Sequence, residues 1–336
     1  MNYRYLGRSA LKVSPLCLGA MMFGGETNEA TSKRIIDSAF EHGINFIDTA
    51  DVYHGGKSEQ VIGRAIADKR DSWIVATKFG FQAGATAGPN EQGQSRKWIM
   101  QSVEASLKRL DTDYIDILYF HRALPDLPLE EGLRTIDDLI RQGKLRYYGV
   151  SNFRGWRIAE IVRMADQLGM QRPSVSEPLY NIVDRTAEVE QLPAAEYYGL
   201  GVVSYSPLAR GVLSGKYAPD TPPPADSRAG RGDVRIQQTE WRPESLKIAQ
   251  TIAAHATMRG TTSVAFAIAW ALKNTLISSV IAGPRTEAHW ESYLDALSLT
   301  LDDADEKLVD SLVPPGHAST YGYTDPGYPV EGRRSV

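Results

Sequence analysis

The sequence lacks the features that mark secreted, membrane-spanning and nucleic-acid-binding proteins. Its 336 residues include one cysteine, Cys17, which excludes a disulfide within the chain. No apolar run reaches the length of about 18 residues that a transmembrane helix needs. The N-terminal segment has no signal-peptide core, and no basic cluster suggests a nucleic-acid partner. With a net charge of −4, we expect a cytoplasmic protein with no nucleic-acid or membrane partner.

A regular alternation of apolar runs and helical patterns is present instead. Hydrophobic residues make up 42% of the chain, enough for one large core or two ordinary domains. The predicted strands are residues 16–20, 45–49, 73–78, 114–120, 147–150, 174–179, 201–205 and 278–282. The predicted helices are residues 31–42, 58–68, 96–110, 129–142, 155–168, 187–198, 244–258, 262–273, 286–297 and 302–312.

Eight strands that are each followed by a helix predict an α/β fold, a single (β/α)8 TIM barrel in one domain over residues 1–336. Residues 1–13 predict an N-terminal β-hairpin, and residues 214–243 a long irregular loop after the seventh barrel strand. A helix at 302–312 and a tail rich in Gly, Pro and Tyr close the chain. An open doubly wound sheet is the alternative. The end of its first strand, Leu-Gly-Ala-Met-Met-Phe-Gly-Gly, does not fit the Gly-x-Gly-x-x-Gly fingerprint of that fold.

Polar residues stand at the ends of successive predicted strands, where a barrel of this kind builds its active site. Each has a plainer role open to it as well: an aspartate or serine can cap a helix, a lysine can extend to solvent, and a histidine can be a satisfied core residue. Four consecutive strands with such ends are more than stability requires. These strand-end residues are Asp48 with Tyr53 in its loop, Lys78, His121, Ser151 with Asn152, Glu177, and Tyr205 with Ser206.

The first four of these groups suit proton delivery. A tyrosine has an ordinary pKa of about 10, and we expect the ammonium of Lys78 to lower the pKa of Tyr53. Asp48 would be the counter-ion of a buried Lys78. His121 would hydrogen-bond a carbonyl oxygen or relay the proton. Acid catalysis without a metal cluster or a nucleophile–base pair predicts carbonyl reduction, in which a cofactor supplies the hydride.

The same residues carry a resemblance to the aldo-keto reductase superfamily over nearly the whole chain. The segment GINFIDTADVYHGGKSE resembles the family's Asp/Tyr signature, ATKFG its lysine strand, and SLKRLDTDYIDILYFHRALP its histidine strand. YYGVSNF and VVSYSPLARGVLSGKY resemble its cofactor-binding segments. Five motifs in the family's order make the resemblance specific.

The resemblance implies NADPH-linked reduction of an aldehyde or ketone, with NADH as the alternative cofactor and a small carbonyl compound as substrate. It implies Tyr53 as the acid, supported by Asp48, Lys78 and His121. It also implies that Ser151 and Asn152 hold the nicotinamide carboxamide and that Tyr205 stacks on the ring. The residues it implies for cofactor binding are Gly19, Met21, Asp48, Ser151, Asn152, Glu177, Tyr205, Ser206, Pro207, Leu208, Arg210, Gly211, Lys216, Gly283, Arg285 and His289.

Three regions depart from the family pattern. One is the long loop over 214–243, which contains Arg-Gly-Asp at 231–233. Glu177 stands where the family commonly has a glutamine, and an ionised carboxylate cannot donate to a carboxamide. On the adenine side, His289 and Tyr293 replace residues that are frequently glutamine and asparagine. Arg285 is kept, and its guanidinium can pair with a 2′-phosphate, which favours NADPH.

Two other functions stay open from the sequence. Some aldo-keto reductase relatives are cofactor-bound subunits of ion channels, and intact proton-donating residues do not separate this role from an enzyme. A barrel isomerase or aldolase with Lys78 as a Schiff base is the other, and an adjacent Asp48 opposes it by keeping the ammonium charged.

Overall fold

The structure is a computed structural model that describes residues 1–82, 84, 87–124 and 126–330. The last six residues of the predicted C-terminal tail lie outside this description. Its centre is a closed barrel of eight parallel strands, in the order β10-β3-β4-β5-β6-β7-β8-β9, which confirms the predicted (β/α)8 architecture. The barrel strands are β3 (Leu16–Gly19), β4 (Phe46–Asp48), β5 (Ile74–Phe79), β6 (Ile115–Phe120), β7 (Leu145–Ser151), β8 (Val175–Glu177), β9 (Gly201–Ser204) and β10 (Ser279–Ala282).

The predicted hairpin at the N-terminus is also present. Its strands, β1 (Arg4–Tyr5) and β2 (Lys12–Val13), pair antiparallel. Leu6 and Val13 of this hairpin are completely buried and belong to one hydrophobic cluster with core side chains of the barrel strands. The hairpin therefore extends the core that the barrel encloses.

Helices follow the barrel strands, and capping side chains fix several of their starts. Asn28, Ser95 and Thr262 each accept a backbone N–H from the first turn of the helix that follows. None of the helices in the described ranges has the length and apolarity to cross a membrane. The helices are α1 (Glu29–Glu41), α2 (Lys57–Ile66), α3 (Arg96–Leu110), α4 (Leu129–Arg141), α5 (Gly155–Leu168), α6 (Gln191–Tyr198), α7 (Val234–Gln238), α8 (Pro243–Met258), α9 (Ser263–Lys273), α10 (Glu287–Leu294) and α11 (Asp303–Leu312).

Among the predicted elements that differ from the structure are those at residues 187–198 and 214–243. The segment predicted as one helix over 187–198 is a 3-10 turn, Thr186–Glu188, followed by α6, which starts only at Gln191. The loop predicted as irregular over 214–243 contains α7. This short helix forms because the Asp233 side chain accepts the backbone N–H of Ile236, a local capping bond that periodicity does not reveal.

The chain divides into two compact units. The first comprises residues 1–178, 189–205 and 275–291 and contains the hairpin and the whole barrel. The second comprises residues 179–188, 206–274 and 292–336 and includes α7, α8, α9 and α11. Within the second unit, Arg235 forms a bidentate ion pair with Asp325 of the tail. The single domain over residues 1–336 stays a prediction.

Candidate active site

The alternation of side chains along each barrel strand places the candidate residues in the interior of the barrel. Core side chains such as Phe46, Ala76 and Tyr119 belong to the buried interior cluster, and side chains two positions apart on a strand lie on the same face. Asp48, two residues after Phe46, and Lys78, two residues after Ala76, therefore lie on the inner face of the barrel. The corresponding pairs elsewhere are Cys17 with Gly19, Tyr119 with His121, Gly149 with Ser151, Val175 with Glu177, Val203 with Tyr205, and Ile281 with Gly283.

Lys78 lies in a buried group of charges that we call the Lys78 cluster: Lys78, Asp48 and Glu177. Its ammonium donates to the Asp48 carboxylate and to the carbonyl oxygen of Thr49 at 2.9 Å. It lies 3.6 Å from Oε1 of Glu177. The three residues are 1%, 3% and 3% exposed, respectively. Lys78 therefore does not extend to solvent, and the predicted Lys78–Asp48 contact is present.

The Lys78 cluster shifts all three of its titrating groups. Burial lowers the pKa of the Lys78 ammonium, but the two carboxylates outweigh burial, so the net shift is upward. Burial raises the pKa of Asp48 against the opposing effect of Lys78. Burial also raises the pKa of Glu177, well above its ordinary value, with Lys78 again opposing. Lys78 thus stays charged, as a counter-ion for groups that develop negative charge nearby.

Tyr53 lies in the loop after β4, at the start of a 3-10 turn, Tyr53–Gly56. The Lys78 ammonium is 5.3 Å from the centre of its ring. Lys78 lowers the pKa of Tyr53, as expected, but the net shift of that pKa is upward. Burial raises that pKa above its ordinary value, and the lowering by Lys78 only offsets part of the rise. Tyr53 is therefore a neutral phenol at neutral pH, with its proton available.

His121 is held beside Tyr53 as a neutral imidazole. The two rings meet edge to face with centroids 6.0 Å apart, and Phe81 approaches His121 in the same way at 4.5 Å. Burial lowers the pKa of His121 well below its ordinary value, and the positive charges of Lys78 and Arg122 lower it further. Its Nδ1 is buried with no hydrogen-bond partner among the described residues. A satisfied core histidine would not leave this atom unbonded.

Ser151, Asn152 and Tyr205 form a hydrogen-bonded chain next to the Lys78 cluster. The Tyr205 hydroxyl donates to Oδ1 of Asn152 at 2.7 Å, and Nδ2 of Asn152 donates to Oγ of Ser151 at 3.0 Å. Oγ of Ser151 lies 3.4 Å from Oε1 of Glu177. Asn152 has a left-handed backbone, with φ of 60°. The structure thus brings together three residues predicted for the carboxamide and the ring of the cofactor.

The remaining predicted residues of the first unit lie at the ends of β3 and β10. Gly19 leaves no space for a side chain, since a Cβ there would lie 2.7 Å from Ile281. Gly283 directly follows β10, and the carbonyl oxygen of Arg285 accepts from the hydroxyl of Thr27 at 2.9 Å. Two further residues predicted for the cofactor are in this unit, Met21, which is exposed, and His289, which is half-buried.

In the second unit, residues 206–216 form a tight turn with an unusual backbone. Ser206, Ala209, Arg210 and Gly211 all have positive φ, from 48° to 98°. Successive backbone N–H groups in such conformations form concavities that favour anions. The guanidinium of Arg210 is already paired with Glu240 at 2.5 Å. The other residues predicted for cofactor binding in this segment are Pro207, Leu208 and Lys216.

Asp51 was not predicted from the sequence as a site residue. It stands between Asp48 and Tyr53, and one oxygen of its carboxylate accepts from Oγ of Ser102 at 3.0 Å. Its other oxygen is buried and has no partner in the part of the chain that the structure describes. Burial raises the pKa of Asp51 to about 7. The only signal in the sequence was a second acidic residue within the Asp48–Tyr53 signature, and its burial against α3 could not be read from that.

Comparison with known proteins places these residues in a family. The model of the aldo/keto reductase family matches residues 15–314, and the chain belongs to this family. It is 37% identical over 305 residues to a probable voltage-gated potassium channel subunit beta of Arabidopsis thaliana, covering 89% of this chain and 92% of that one. It is 34% identical over 334 residues to an uncharacterized oxidoreductase of Bacillus subtilis, covering 96% and 99%. The family supports oxidoreductase activity and a nicotinamide cofactor.

Proposed function

We propose that the protein reduces an aldehyde or ketone to an alcohol with NADPH, reversibly, with Tyr53 as the proton donor. One observation carries this proposal: a buried ammonium, Lys78, paired with Asp48, lies beside a neutral tyrosine and a neutral histidine at the carboxyl ends of the barrel strands. This set of groups can protonate an oxygen and stabilise the charge that develops on it. The substrate is a small carbonyl compound.

Each residue has a distinct task in this reaction. The cofactor, when bound, supplies a hydride to the carbonyl carbon. Tyr53 gives its proton to the carbonyl oxygen, and the Lys78 ammonium stabilises the phenolate that remains. Asp48 fixes Lys78 through their hydrogen bond. His121, as a neutral imidazole, donates a ring N–H to the carbonyl oxygen and so orients the substrate.

The residues present fit a nicotinamide cofactor. Buried polar atoms around the site, including Nδ1 of His121, lack partners within the described chain, which is typical of a site that awaits a ligand. Ser151 and Asn152 present donor and acceptor groups of the kind a carboxamide needs. In the second unit, the left-handed turn at 206–211 suits a pyrophosphate. Arg285 favours NADPH over NADH, since a guanidinium pairs well with a 2′-phosphate.

The proposal is tested by Tyr53→Phe. This variant keeps the ring and loses the transferable proton, so kcat is expected to fall by about 10²–10⁴-fold while NADPH still binds. Steady-state kinetics over a panel of aldehydes, ketoses and pyridoxal-type compounds, with NADPH and with NADH, provide the measurement. Tyr197→Phe changes an exposed tyrosine outside the site and is the matched control. Near-normal turnover by Tyr53→Phe would refute the mechanism.

A second candidate is a cofactor-bound regulatory subunit of a channel, and the similarity to potassium channel beta subunits favours it. The same assay separates the two functions. Saturable consumption of NADPH with any carbonyl compound supports the enzyme. Tight NADPH binding without turnover across the panel supports the regulatory subunit. For either function we propose a cytoplasmic location.

A further inference from the structure

The Lys78 cluster contains more negative than positive charge. Two carboxylates, Asp48 and Glu177, face one ammonium, so the cluster has a net charge of −1 when all three are ionised. All three side chains are almost fully buried. A net charge in such surroundings is strongly unfavourable, and a buried carboxyl responds by taking up a proton. The cluster therefore holds one proton beyond those of Lys78 when no ligand is bound.

The geometry assigns that proton to Glu177. Asp48 accepts directly from the ammonium of Lys78, whereas Oε1 of Glu177 is 3.6 Å from it. The Ser151 hydroxyl donates to Oε1 of Glu177 at 3.4 Å, and Oε2 has no partner among the described residues. Burial raises the pKa of Glu177 well above its ordinary value, in agreement with this assignment.

Groups within the Lys78 cluster dominate the titration of Glu177. On β8 its backbone pairs with Ser151 of β7. The causes of its shift are burial, Lys78, Asp48 and the hydrogen bond from Ser151. The titratable or polar groups that interact with Glu177 from the neighbouring elements are Asp48 on β4, Lys78 on β5, Ser151 on β7, Cys17 on β3, Tyr119 on β6 and Tyr53 in the loop after β4.

The proposed reaction fixes where a nicotinamide ring must lie. Hydride and proton reach the two ends of one carbonyl bond, so the ring has to come close to the hydroxyl of Tyr53. Tyr53 lies against Lys78, and Lys78 against Glu177. The charge of Glu177 therefore interacts electrostatically with the nicotinamide ring. This ring is positively charged in the oxidised cofactor and neutral in the reduced one.

We propose that Glu177 determines which redox state of the cofactor the protein prefers, by losing its proton when the oxidised, positively charged cofactor binds. This inference rests on the proposed function and deepens it. In the binding step, protonated Glu177 and free NADP⁺ give the complex of ionised Glu177 with NADP⁺ and one proton in solution. The reduced cofactor has no positive ring charge and leaves the proton in place. On the enzyme, the proton released by Glu177 offsets the proton that carbonyl reduction consumes. Ionised Glu177 therefore stabilises the NADP⁺–alcohol side and makes the balance between the two bound states less dependent on pH.

Isothermal titration calorimetry of NADP⁺ and NADPH, in buffers with different ionisation enthalpies, measures the protons released. We expect the wild-type protein near pH 7 to release more protons with NADP⁺ than with NADPH, by a difference approaching one. The 2′-phosphate ionises near pH 6 but is common to both ligands, so its contribution cancels. In Glu177→Gln the difference should vanish, and the preference for NADP⁺ relative to NADPH should fall by about tenfold at pH 8, as for one partly screened charge.

Glu59→Gln removes a different buried carboxylate, outside the barrel interior, and should leave the proton difference unchanged. Equal proton release with both cofactors in the wild-type protein, over pH 6–8, would overturn the role of Glu177 even if Glu177→Gln failed to fold. Failure of both cofactors to bind the wild-type protein would instead refute the proposed function. The two failures are thus distinguishable.

Discussion

Two buried clusters lie on opposite faces of β5. Lys78 points into the barrel toward Asp48 and Glu177, whereas its neighbour Thr77 donates to Glu59 of α2 at 2.6 Å. Arg109 of α3 completes the second group, which we call the Glu59 cluster: Glu59, Thr77 and Arg109. In both clusters a cation meets a buried carboxylate. The alternation of side chains along one strand places one cluster inside the barrel and the other under the helices.

The clusters differ in how completely their oxygens are bonded. Both oxygens of Glu59 accept hydrogen bonds, from Thr77 and from Arg109. In the Lys78 cluster, Asp48 and Glu177 each leave one oxygen without a partner among the described residues. Unmet hydrogen-bonding capacity costs folding free energy, so a stable fold retains it where a ligand will use it. Burial is common to both clusters, and incomplete bonding of the carboxylates distinguishes the Lys78 cluster from the Glu59 cluster.

The largest expected effect is that of Lys78→Met on catalysis. The substitution removes the ammonium that stabilises the Tyr53 phenolate, so kcat should fall by about 10²–10³-fold. Stability should suffer less than the loss of a buried charge suggests, since Asp48 and Glu177 already have raised pKa values and can take up protons. Steady-state kinetics and urea unfolding on the same preparation check both parts. A near-normal kcat would contradict the comparison.

Arg109→Met is the matched change in the Glu59 cluster. In contrast to Lys78→Met, it should lower stability and leave kcat nearly unchanged. It leaves the fully buried Glu59 carboxylate without its cation. Removal of one partner from a buried pair costs about 3–5 kcal/mol, and the partial exposure of Arg109 reduces the expected loss to about 2–3 kcal/mol. Its kinetic constants should stay within about threefold of wild type, since Arg109 touches no proposed catalytic residue. A large loss of kcat at unchanged stability would show that the clusters are not separate.

Asp51 sharpens the comparison, because it lies near the Glu59 cluster yet has an unbonded oxygen. Its pKa is about 7 in the folded protein and about 3.9 when unfolded. Between these values the folded state binds more protons, so stability falls as pH rises from about 4 to about 7.

Asp51→Asn removes this titration and can still accept from Ser102. Relative to wild type it should gain about 2 kcal/mol between pH 4 and pH 8, a value reduced for partial solvent access. Urea midpoints measured across this range provide the check. Parallel curves for the two proteins would show that Asp51 does not titrate as inferred.

Side chains along a β-strand alternate between two faces, and this explains why much of the site could be predicted from the sequence. Strand ends after Phe46, Ala76 and Tyr119 had to carry Asp48, Lys78 and His121 to the inner face of a parallel barrel. The net pKa of Tyr53 could not be predicted in this way, because it depends on how burial balances against Lys78. A sequence pattern indicates which charged residues are neighbours, but it does not indicate how strongly burial shifts the pKa of each group.

Other features depend on individual contacts and backbone angles that composition and periodicity do not reveal. The ion pair of Arg210 with Glu240 links residues 30 apart and has no signature in composition or periodicity. The start of α7 depends on a single capping bond from Asp233. The turn at 206–211 was found by its motif, but its left-handed backbone at Ala209 and Arg210 is visible only in the structure.

The smallest expected effect is that of Thr77→Val, which tests the comparison at adjacent residues of one strand. The valine keeps the shape of Thr77 and removes its donor to Glu59, at a cost of about 1–2 kcal/mol in unfolding free energy. Activity should not change, although Lys78 is the next residue. Thr77→Ser keeps the hydroxyl and controls for side-chain volume. A double-mutant cycle with Arg109→Met should show a coupling above about 0.5 kcal/mol, because both side chains bond the same carboxylate. A lowered kcat in Thr77→Val, with no such coupling, would mean that the two faces of β5 act as one site.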